Sequence, residues 1–171
     1  IEKYSSIYKE ELTGNIMPFW LEYGMDKVNG GLYTCLDRDG SLMDTSKSVW
    51  FQGRFSWVLS TLYADFAKKE EYLDAAKSGI DFLEKYCFDK YGDNRMFFRV
   101  TEEGKCVIKR LRYYFSETFC IIAMASYGRA SRDKSYIIKA KELLERIDKI
   151  QKLLIPKFDI NQRATISFGP P

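Results

Sequence analysis

A predicted β-hairpin is followed directly by a predicted apolar helix, and the first turns of that helix contain Trp50, Gln52 and Arg54. The surrounding segment, residues 30–54, reads GGLYTCLDRDGSLMDTSKSVWFQGR. An arginine stays protonated and offers a fork of hydrogen-bond donors. A helix N-terminus adds the partial positive charge of its free amide groups. The pattern therefore predicts a site for an anion or for the oxygens of a sugar.

The chain of 171 residues contains no histidine. Histidine is the side chain that most readily transfers protons near neutral pH. Lysine, glutamate or tyrosine would need a large pKa shift for that task, and the sequence shows no pair placed to produce one. We therefore expect this polypeptide to be catalytically incomplete on its own.

The composition excludes several classes of function. The formal charge is +3, from 27 Lys and Arg against 24 Asp and Glu, which is too small for a nucleic-acid surface. No apolar run approaches the ~20 residues that span a bilayer. The cysteines have no C-x-x-C spacing and no histidine partner, so no metal site is predicted. Free thiols without a signal-like N-terminus favour a cytoplasmic protein.

Hydrophobic periodicity predicts five helices, at about 2–23, 47–67, 70–88, 114–131 and 133–153. The second and fourth are apolar on nearly every face, which is typical of helices that are buried all round. The other three are amphipathic, and Pro18 is expected to kink or restart the first. Buried helices that alternate with amphipathic ones indicate two concentric layers of helices.

Two β-hairpins are predicted at corresponding places in this order. The first covers 32–42 with a turn at 37–40, and the second covers 96–109 with a turn at 102–104. Each hairpin precedes a buried helix. A unit of hairpin, buried helix and amphipathic helix thus occurs twice, which indicates an internal repeat.

The tail, residues 155–171, lacks periodicity and holds three of the four prolines. We interpret it as a linker toward a missing inner helix, because two inner and three outer helices cannot close a ring. The single domain 1–171 is thus expected to be part of a larger fold. Its exposed inner surface predicts a homo-oligomer or a complementing C-terminal half-chain as partner.

Three segments together carry a resemblance: PFWLEYGMDKVNGGLYTCLDRDG at 18–40, KSVWFQGRFSW at 47–57 and FSETFCIIAMA at 115–125. In them the chain resembles the N-acylglucosamine 2-epimerase family, and NQRATISFGPP at 161–171 is similar to that family's linker. The resemblance implies an all-α fold, an (α/α)6 barrel with short β-hairpins at the mouth. This chain would be its incomplete N-terminal portion of about five helices.

The resemblance also implies an activity. Members interconvert N-acetylglucosamine and N-acetylmannosamine by removing the C2 proton and returning it to the other face through an enediolate. Relatives act on mannose, glucose or cellobiose. No cofactor is required, and ATP or another nucleotide is expected as an activator by resemblance alone, since no phosphate-binding loop occurs here. The proton-transfer groups of the family are histidines of its C-terminal half.

Site residues follow from the family motif W-x-Q-G-R. It assigns Arg54 as the catalytic residue that holds a substrate oxygen and stabilises the enediolate. Trp50 is expected to pack on the sugar ring, on the guanidinium or in the core. Glu117, at the start of the fourth helix, is expected to pair with Arg54 or a neighbour, or to have a cap or surface role. The expected substrate-binding residues are Trp50, Gln52, Tyr33, Phe115 and Glu117.

Alternative functions stay open at this point. The chain could be a truncated homologue that binds a sugar or a protein without catalysis, or an epimerase of mannose, glucose or cellobiose. A glycoside hydrolase of similar architecture would need two carboxylates that flank the bond. It is disfavoured because Asp37, Asp39 and Asp44 lie in a turn or before a helix.

Overall fold

A computed structural model describes residues 2–111 and 114–154, which are mostly helical. The helices are α1 (Glu2–Glu11), α2 (Met17–Tyr23), α3 (Val49–Asp65), α4 (Glu70–Tyr86), α5 (Phe115–Ser131) and α6 (Lys134–Leu154). The strands are β1 (Cys35–Leu36), β2 (Leu42–Asp44), β3 (Lys47–Ser48), β4 (Arg99–Val100) and β5 (Cys106–Ile108). The prediction of helices with short hairpins is confirmed. The predicted linker at 155–171 lies outside the described residues.

The helices form two layers. α3 and α5 pack side by side as the inner layer, while α4 packs against both and α6 packs against α5. α2 joins the outer layer through Trp20, whose ring centroid lies 6.0 Å from that of Phe51 and 6.1 Å from that of Phe55. Leu59 of α3 and Cys120 of α5 are fully buried between the layers. The alternation predicted from hydrophobic periodicity is thus confirmed.

The backbones of α3 and α5 approach each other closely at Gly53. A Cβ atom added there would lie 2.7 Å from the backbone carbonyl carbon and oxygen of Phe119. Glycine in a helix interior is about 1 kcal/mol less favourable than alanine. The close contact between two backbones explains why this position tolerates that cost.

We expect Gly53→Ala to lower the free energy of unfolding by about 1–3 kcal/mol, the usual cost of overpacking. The added methyl group meets backbone rather than a movable side chain, so the two inner helices must separate. Urea denaturation measures the effect. Gly14→Ala is the matched control, because nothing lies within 4 Å of its added Cβ. Equal effects of the two substitutions would refute the packing argument.

The first predicted helix differs in one respect from the structure. Between α1 and α2 lies a π-helical segment, Leu12–Ile16, and the N–H of Met17 donates to the carbonyl oxygen of Leu12. Pro18 follows directly and has no N–H to give to a regular helical turn. The wider turn accommodates the proline, so the chain stays helical up to Tyr23 instead of restarting at Pro18.

The two hairpins repeat each other in detail. β1 pairs with β2 in the first hairpin, and β4 pairs with β5 in the second. Their turns contain Gly40 and Gly104, both with φ of +89°, which glycine adopts without strain. Under these glycines lie the side chains of Tyr23 and Tyr86, in each of which a carbon atom would lie 2.4 Å from a Cβ atom added to the glycine. The predicted internal repeat is therefore confirmed.

One strand was not predicted. β3 pairs antiparallel with β4, so that Lys47 faces Val100 and Ser48 faces Arg99. α3 consequently begins at Val49, whose N–H donates to the carbonyl oxygen of Phe98 at 3.1 Å. The start of α3 is thereby attached to the second hairpin. Over the described part of the chain, no helix is both long and apolar enough to cross a membrane.

Candidate functional site

The least buried face of the inner layer carries residues at helical spacing. We call it the open face; its members are Trp50, Arg54 and Trp57 on α3, and Phe115, Phe119 and Ile122 on α5. Arg54 lies one helical turn after Trp50 and therefore shares its side of α3. Its side chain is exposed, and Trp57 beyond it is 38% exposed. Among its described residues, the open face thus presents one cation, Arg54, beside large apolar groups.

Three rings form an aromatic cluster beside this cation: Trp50, Phe115 and Phe119. Their centroids lie 5.2 to 5.6 Å apart. The guanidinium carbon of Arg54 lies 6.0 Å from the Phe119 centroid, a weak attraction that leaves the N–H donors available. Within residues 2–111 and 114–154, Arg54 makes no ion pair with a carboxylate. The structure therefore places Trp50, Phe115 and Arg54 on one face of the inner layer, and their binding of a substrate stays a prediction.

Both polar groups of the Gln52 side chain form hydrogen bonds with the backbone of Leu32. Its Nε2 donates to the carbonyl oxygen of Leu32 at 2.7 Å, and the N–H of Leu32 donates to its Oε1 at 2.9 Å. The side chain is fully buried. In this structure Gln52 therefore anchors the loop 24–34 to α3, a role that the motif alone does not reveal.

Glu117 is anchored in the same way. Its Oε1 accepts bonds from Arg95 Nε and from the N–H of Met96, both at 3.0 Å. Of the partners expected for it, the structure shows a neighbour rather than Arg54. Gln52 and Glu117 occupy equivalent places in the repeat, because each bonds the N–H of a residue in an isolated bridge, Leu32 or Met96.

Tyr33 lies where the two hairpins meet. Its hydroxyl donates to Glu102 Oε2 at 3.3 Å, and its ring lies 5.3 Å from Lys47 Nζ. Burial raises the pKa of Tyr33 to about 12, and the nearby carboxylates of Asp26 and Glu102 add to the effect. The hydroxyl is therefore neutral at neutral pH and acts as a hydrogen-bond donor.

Sequence reasoning missed the buried pair of Lys47 and Asp26. The Lys47 side chain is 0% exposed, and its Nζ donates to Asp26 Oδ2 at 2.6 Å. The same Nζ donates to the carbonyl oxygens of Gly30 at 2.8 Å and Glu102 at 3.1 Å. A single lysine before an apolar helix is usually a surface residue. The sequence indicates a different role for Lys47 only by its place directly before the helix, in the segment KSVW.

Acid should weaken the fold through Asp26. Burial alone raises the pKa of this carboxyl, but hydrogen bonds from Lys47, Asn29 and Val28 outweigh it and lower the pKa from 3.8 to about 2. Because the folded pKa lies below the unfolded one, the stabilisation is present above about pH 4 and is lost as the pH falls toward 2. A shift of that size corresponds to about 2 kcal/mol.

We therefore expect Asp26→Asn to flatten the decline in the free energy of unfolding between pH 4 and pH 2. Urea denaturation at several pH values measures the slope. Asp74→Asn, which removes an exposed carboxylate on α4, should keep the wild-type slope. Parallel curves for wild type and Asp26→Asn would show that this pair does not control acid sensitivity.

The described residues include no group of three or more His, Cys, Asp and Glu placed to hold a metal ion. The four cysteines, Cys35, Cys87, Cys106 and Cys120, are free thiols. Cys120 is fully buried, as its apolar helix predicts, and burial raises the pKa of its thiol far above the ordinary value. The chemistry of the open face is therefore that of an arginine and aromatic rings.

Comparison with known sequences gives a consistent result. A profile of the family described as N-acylglucosamine 2-epimerase (GlcNAc 2-epimerase) matches residues 31–156. N-acylglucosamine 2-epimerase of Bos taurus is 37% identical over 134 residues, 77% of this chain and 32% of the relative. Cellobiose 2-epimerase of Ruminococcus albus is 34% identical over 143 residues, 82% of this chain and 36% of the relative.

Solved structures agree with this. A sugar epimerase from a ruminal bacterium superposes with a TM-score of 0.74 at 34% identity, over 84% of this chain and 36% of that one. Cellobiose 2-epimerase from Bacillus thermoamylovorans B4167 superposes with a TM-score of 0.74 at 28% identity, over 85% of this chain and 37% of that one. The chain thus spans about a third of the length of the relatives it matches. These neighbours are (α/α)6 barrels, and the described helices follow part of one.

Proposed function

This chain belongs to the N-acylglucosamine 2-epimerase family, and from that premise we propose that it forms the oxyanion-binding part of a sugar 2-epimerase. The substrate we propose is an N-acetylated amino sugar, N-acetylglucosamine or N-acetylmannosamine. The observation that carries the proposal is the position of Arg54, exposed on the open face beside the aromatic cluster. Relatives that act on cellobiose support another sugar as the alternative substrate.

The chemistry requires a cation where Arg54 stands. In the open-chain sugar, C2 is adjacent to the C1 aldehyde, so a base can remove the C2 proton. The electron pair of the broken C–H bond forms a C1–C2 double bond while the carbonyl π pair moves onto O1. The product is an enolate where C2 carries the acetamido group, and an enediolate where C2 carries a hydroxyl group. Donors placed at the developing oxyanion stabilise it, and a guanidinium supplies them without losing its own proton. Return of a proton to the opposite face of C2 completes the inversion.

The aromatic cluster has a separate task. The rings of Trp50 and Phe115, 5.2 Å apart, offer an apolar surface to the C–H groups of a sugar. Such a surface orients the substrate relative to Arg54 and keeps water from the oxyanion that forms at O1. A drier site also strengthens the interaction between the guanidinium and the oxyanion.

The groups that move the proton are proposed to lie outside these 171 residues. The chain contains no histidine, and its buried ionic groups Lys47 and Glu117 are bonded to protein partners. The relatives are about three times as long as the matched segment. The remaining part of a barrel, in the same polypeptide or in a complementing half-chain, would supply the base and the acid.

Complementation tests this proposal. The chain is mixed in D2O with the part of the bovine relative that follows its matched segment, and N-acetylmannosamine is added. We expect deuterium at C2 together with N-acetylglucosamine, both followed by NMR, and no exchange with either part alone. Failure of exchange in a mixture that light scattering shows to be assembled would refute the epimerase proposal. Exchange by the chain alone would refute the need for outside groups.

Parallel arms separate the other candidates. Deuterium exchange at C2 of cellobiose but not of the amino sugar would show that the substrate is the alternative sugar. Release of glucose from cellobiose would indicate a hydrolase. A binding protein without catalysis is supported by the absence of histidine. It would bind N-acetylmannosamine in an Arg54-dependent way without exchange.

We also propose a cytoplasmic location, which the four free thiols support. No cofactor is part of the proposal. ATP as an activator rests on resemblance to the family alone, and adding ATP to the complementation assay tests it.

A further inference from the structure

Lys47 joins three parts of the structure that surround the open face. Its backbone lies in β3, which pairs with β4 of the second hairpin. Its side chain reaches back to the loop 24–34, where it meets Asp26 and Gly30. It also meets the carbonyl oxygen of Glu102 in the turn of the second hairpin. An ammonium has three donors, and here each has a protein acceptor.

The surroundings of this ammonium are dry and aromatic. The Lys47 and Asp26 side chains are 0% and 1% exposed, and the Phe82 ring centroid lies 4.3 Å from Nζ. Desolvation of a buried ion pair offsets most of its attraction, so such a pair is weak evidence for stability as such. What the pair does supply is a fixed geometry between the segments that it connects.

Both halves of the aromatic cluster depend on these segments. β3 runs directly into α3, so Lys47 is three residues before Trp50 and seven before Arg54. On the other side, Glu117 in the first turn of α5 bonds Met96, which precedes the second hairpin. The first turn of α3 therefore follows directly on β3, and that of α5 is attached to the chain just before the second hairpin, so both adjoin segments that Lys47 connects.

We propose that Lys47 is a positioning residue of the site. It holds the loop 24–34, the turn of the second hairpin and the start of α3 in one arrangement, and so sets Trp50 and Arg54 against Phe115. This inference rests on the proposed function and extends it to a residue that does not touch the substrate.

The structure also provides a matched control. Arg99 Nη2 and Asp44 Oδ2 form a second ion pair between the two hairpins, at 2.8 Å. These side chains are 37% and 41% exposed, and exposed pairs of this kind contribute little. Asp44→Asn therefore removes an exposed link between the two hairpins and leaves the buried pair of Lys47 and Asp26 in place.

The test compares the Lys47→Met/Asp26→Asn double variant with Asp44→Asn and wild type. The double variant removes the ammonium and the carboxylate charge together, so that neither stays buried without its partner. Hydrogen exchange read by mass spectrometry reports the amides of residues 26–31 and 101–105. We expect both segments to lose protection together in the double variant, while α4 and α6 keep theirs. Asp44→Asn should match wild type.

The kinetic readout is the split between KM and kcat in the complementation assay. A variant that is merely less folded loses kcat and keeps KM, whereas a displaced site raises KM. We expect KM to rise at least about tenfold in the double variant, because small displacements of binding groups are costly. Protection retained in either segment, or an unchanged KM, would overturn the inference. If the wild-type protein shows no turnover in the assembled mixture, the proposed function is overturned. Hydrogen exchange alone then tests whether Lys47 couples residues 26–31 to residues 101–105.

Discussion

Arg54→Met is expected to lower kcat for epimerisation by about 10²–10³, the usual loss when one oxyanion donor is removed. The substitution takes away the only side chain of the motif that offers a permanent positive charge to the oxyanion at O1. The fold should be unaffected, because Arg54 is exposed and has no carboxylate partner in the described part of the chain. The assay is C2 deuterium exchange in the complemented protein.

Two variants make this result specific. Arg54→Lys keeps the charge but replaces the planar fork with a point donor, so its kcat should lie between wild type and Arg54→Met. Arg129→Met removes another exposed arginine of the inner layer, one that pairs with Asp65 at 2.8 Å, and should leave kcat unchanged. Near-normal turnover in Arg54→Met, or a loss that follows a drop in Tm, would contradict the proposed role.

The internal repeat places Phe119 of α5 at the position equivalent to Arg54 of α3, so the described part of the open face carries one cation at this level. Arg54 lies two residues after Gln52, and Phe119 lies two residues after Glu117, so they are equivalent positions on neighbouring inner helices. Two arginines here would repel each other, and each would need a counter-charge. The phenylalanine instead gives the guanidinium an aromatic neighbour at 6.0 Å and leaves its donors for a ligand.

The layers of this fold were predictable because the signal is local. The segment from Val49 to Phe66 places apolar residues on nearly every face of a helix, which predicts that α3 is an inner helix. The charged stripe of α4 likewise assigns it to the outer layer. The turns that contain Gly40 and Gly104 were predictable for the same reason, because a turn is specified by about four consecutive residues with glycine where φ is positive.

The anchoring contacts of the site were not predictable, because their partners are distant in sequence. β3 is a two-residue strand whose partner lies about fifty residues along the chain, and no pattern of its own marks it. Glu117 and Gln52 look like ordinary polar residues at a helix start until their backbone partners are known. Lys47 is buried only because three acceptors from two segments surround it.

Gln52→Leu is expected to lower the free energy of unfolding by about 2–5 kcal/mol. The leucine leaves the N–H and the carbonyl oxygen of Leu32 without partners, and each buried unsatisfied group costs about 1–3 kcal/mol. Leu32 is only 1% exposed, so water cannot replace the amide. Urea denaturation of the chain measures the loss without any need for activity.

Gln52→Glu separates the two hydrogen bonds. A carboxylate can accept from the N–H of Leu32, as Glu117 accepts from Met96, but it cannot donate to the Leu32 carbonyl oxygen. We expect a loss smaller than that of Gln52→Leu at pH 7, and a smaller loss still at pH 5, because a protonated carboxyl regains a donor. If Gln52→Leu is instead as stable as wild type and only weakens sugar binding, the buried amide is not an anchor. Gln52 would then have to turn toward the substrate, as the family motif by itself predicts.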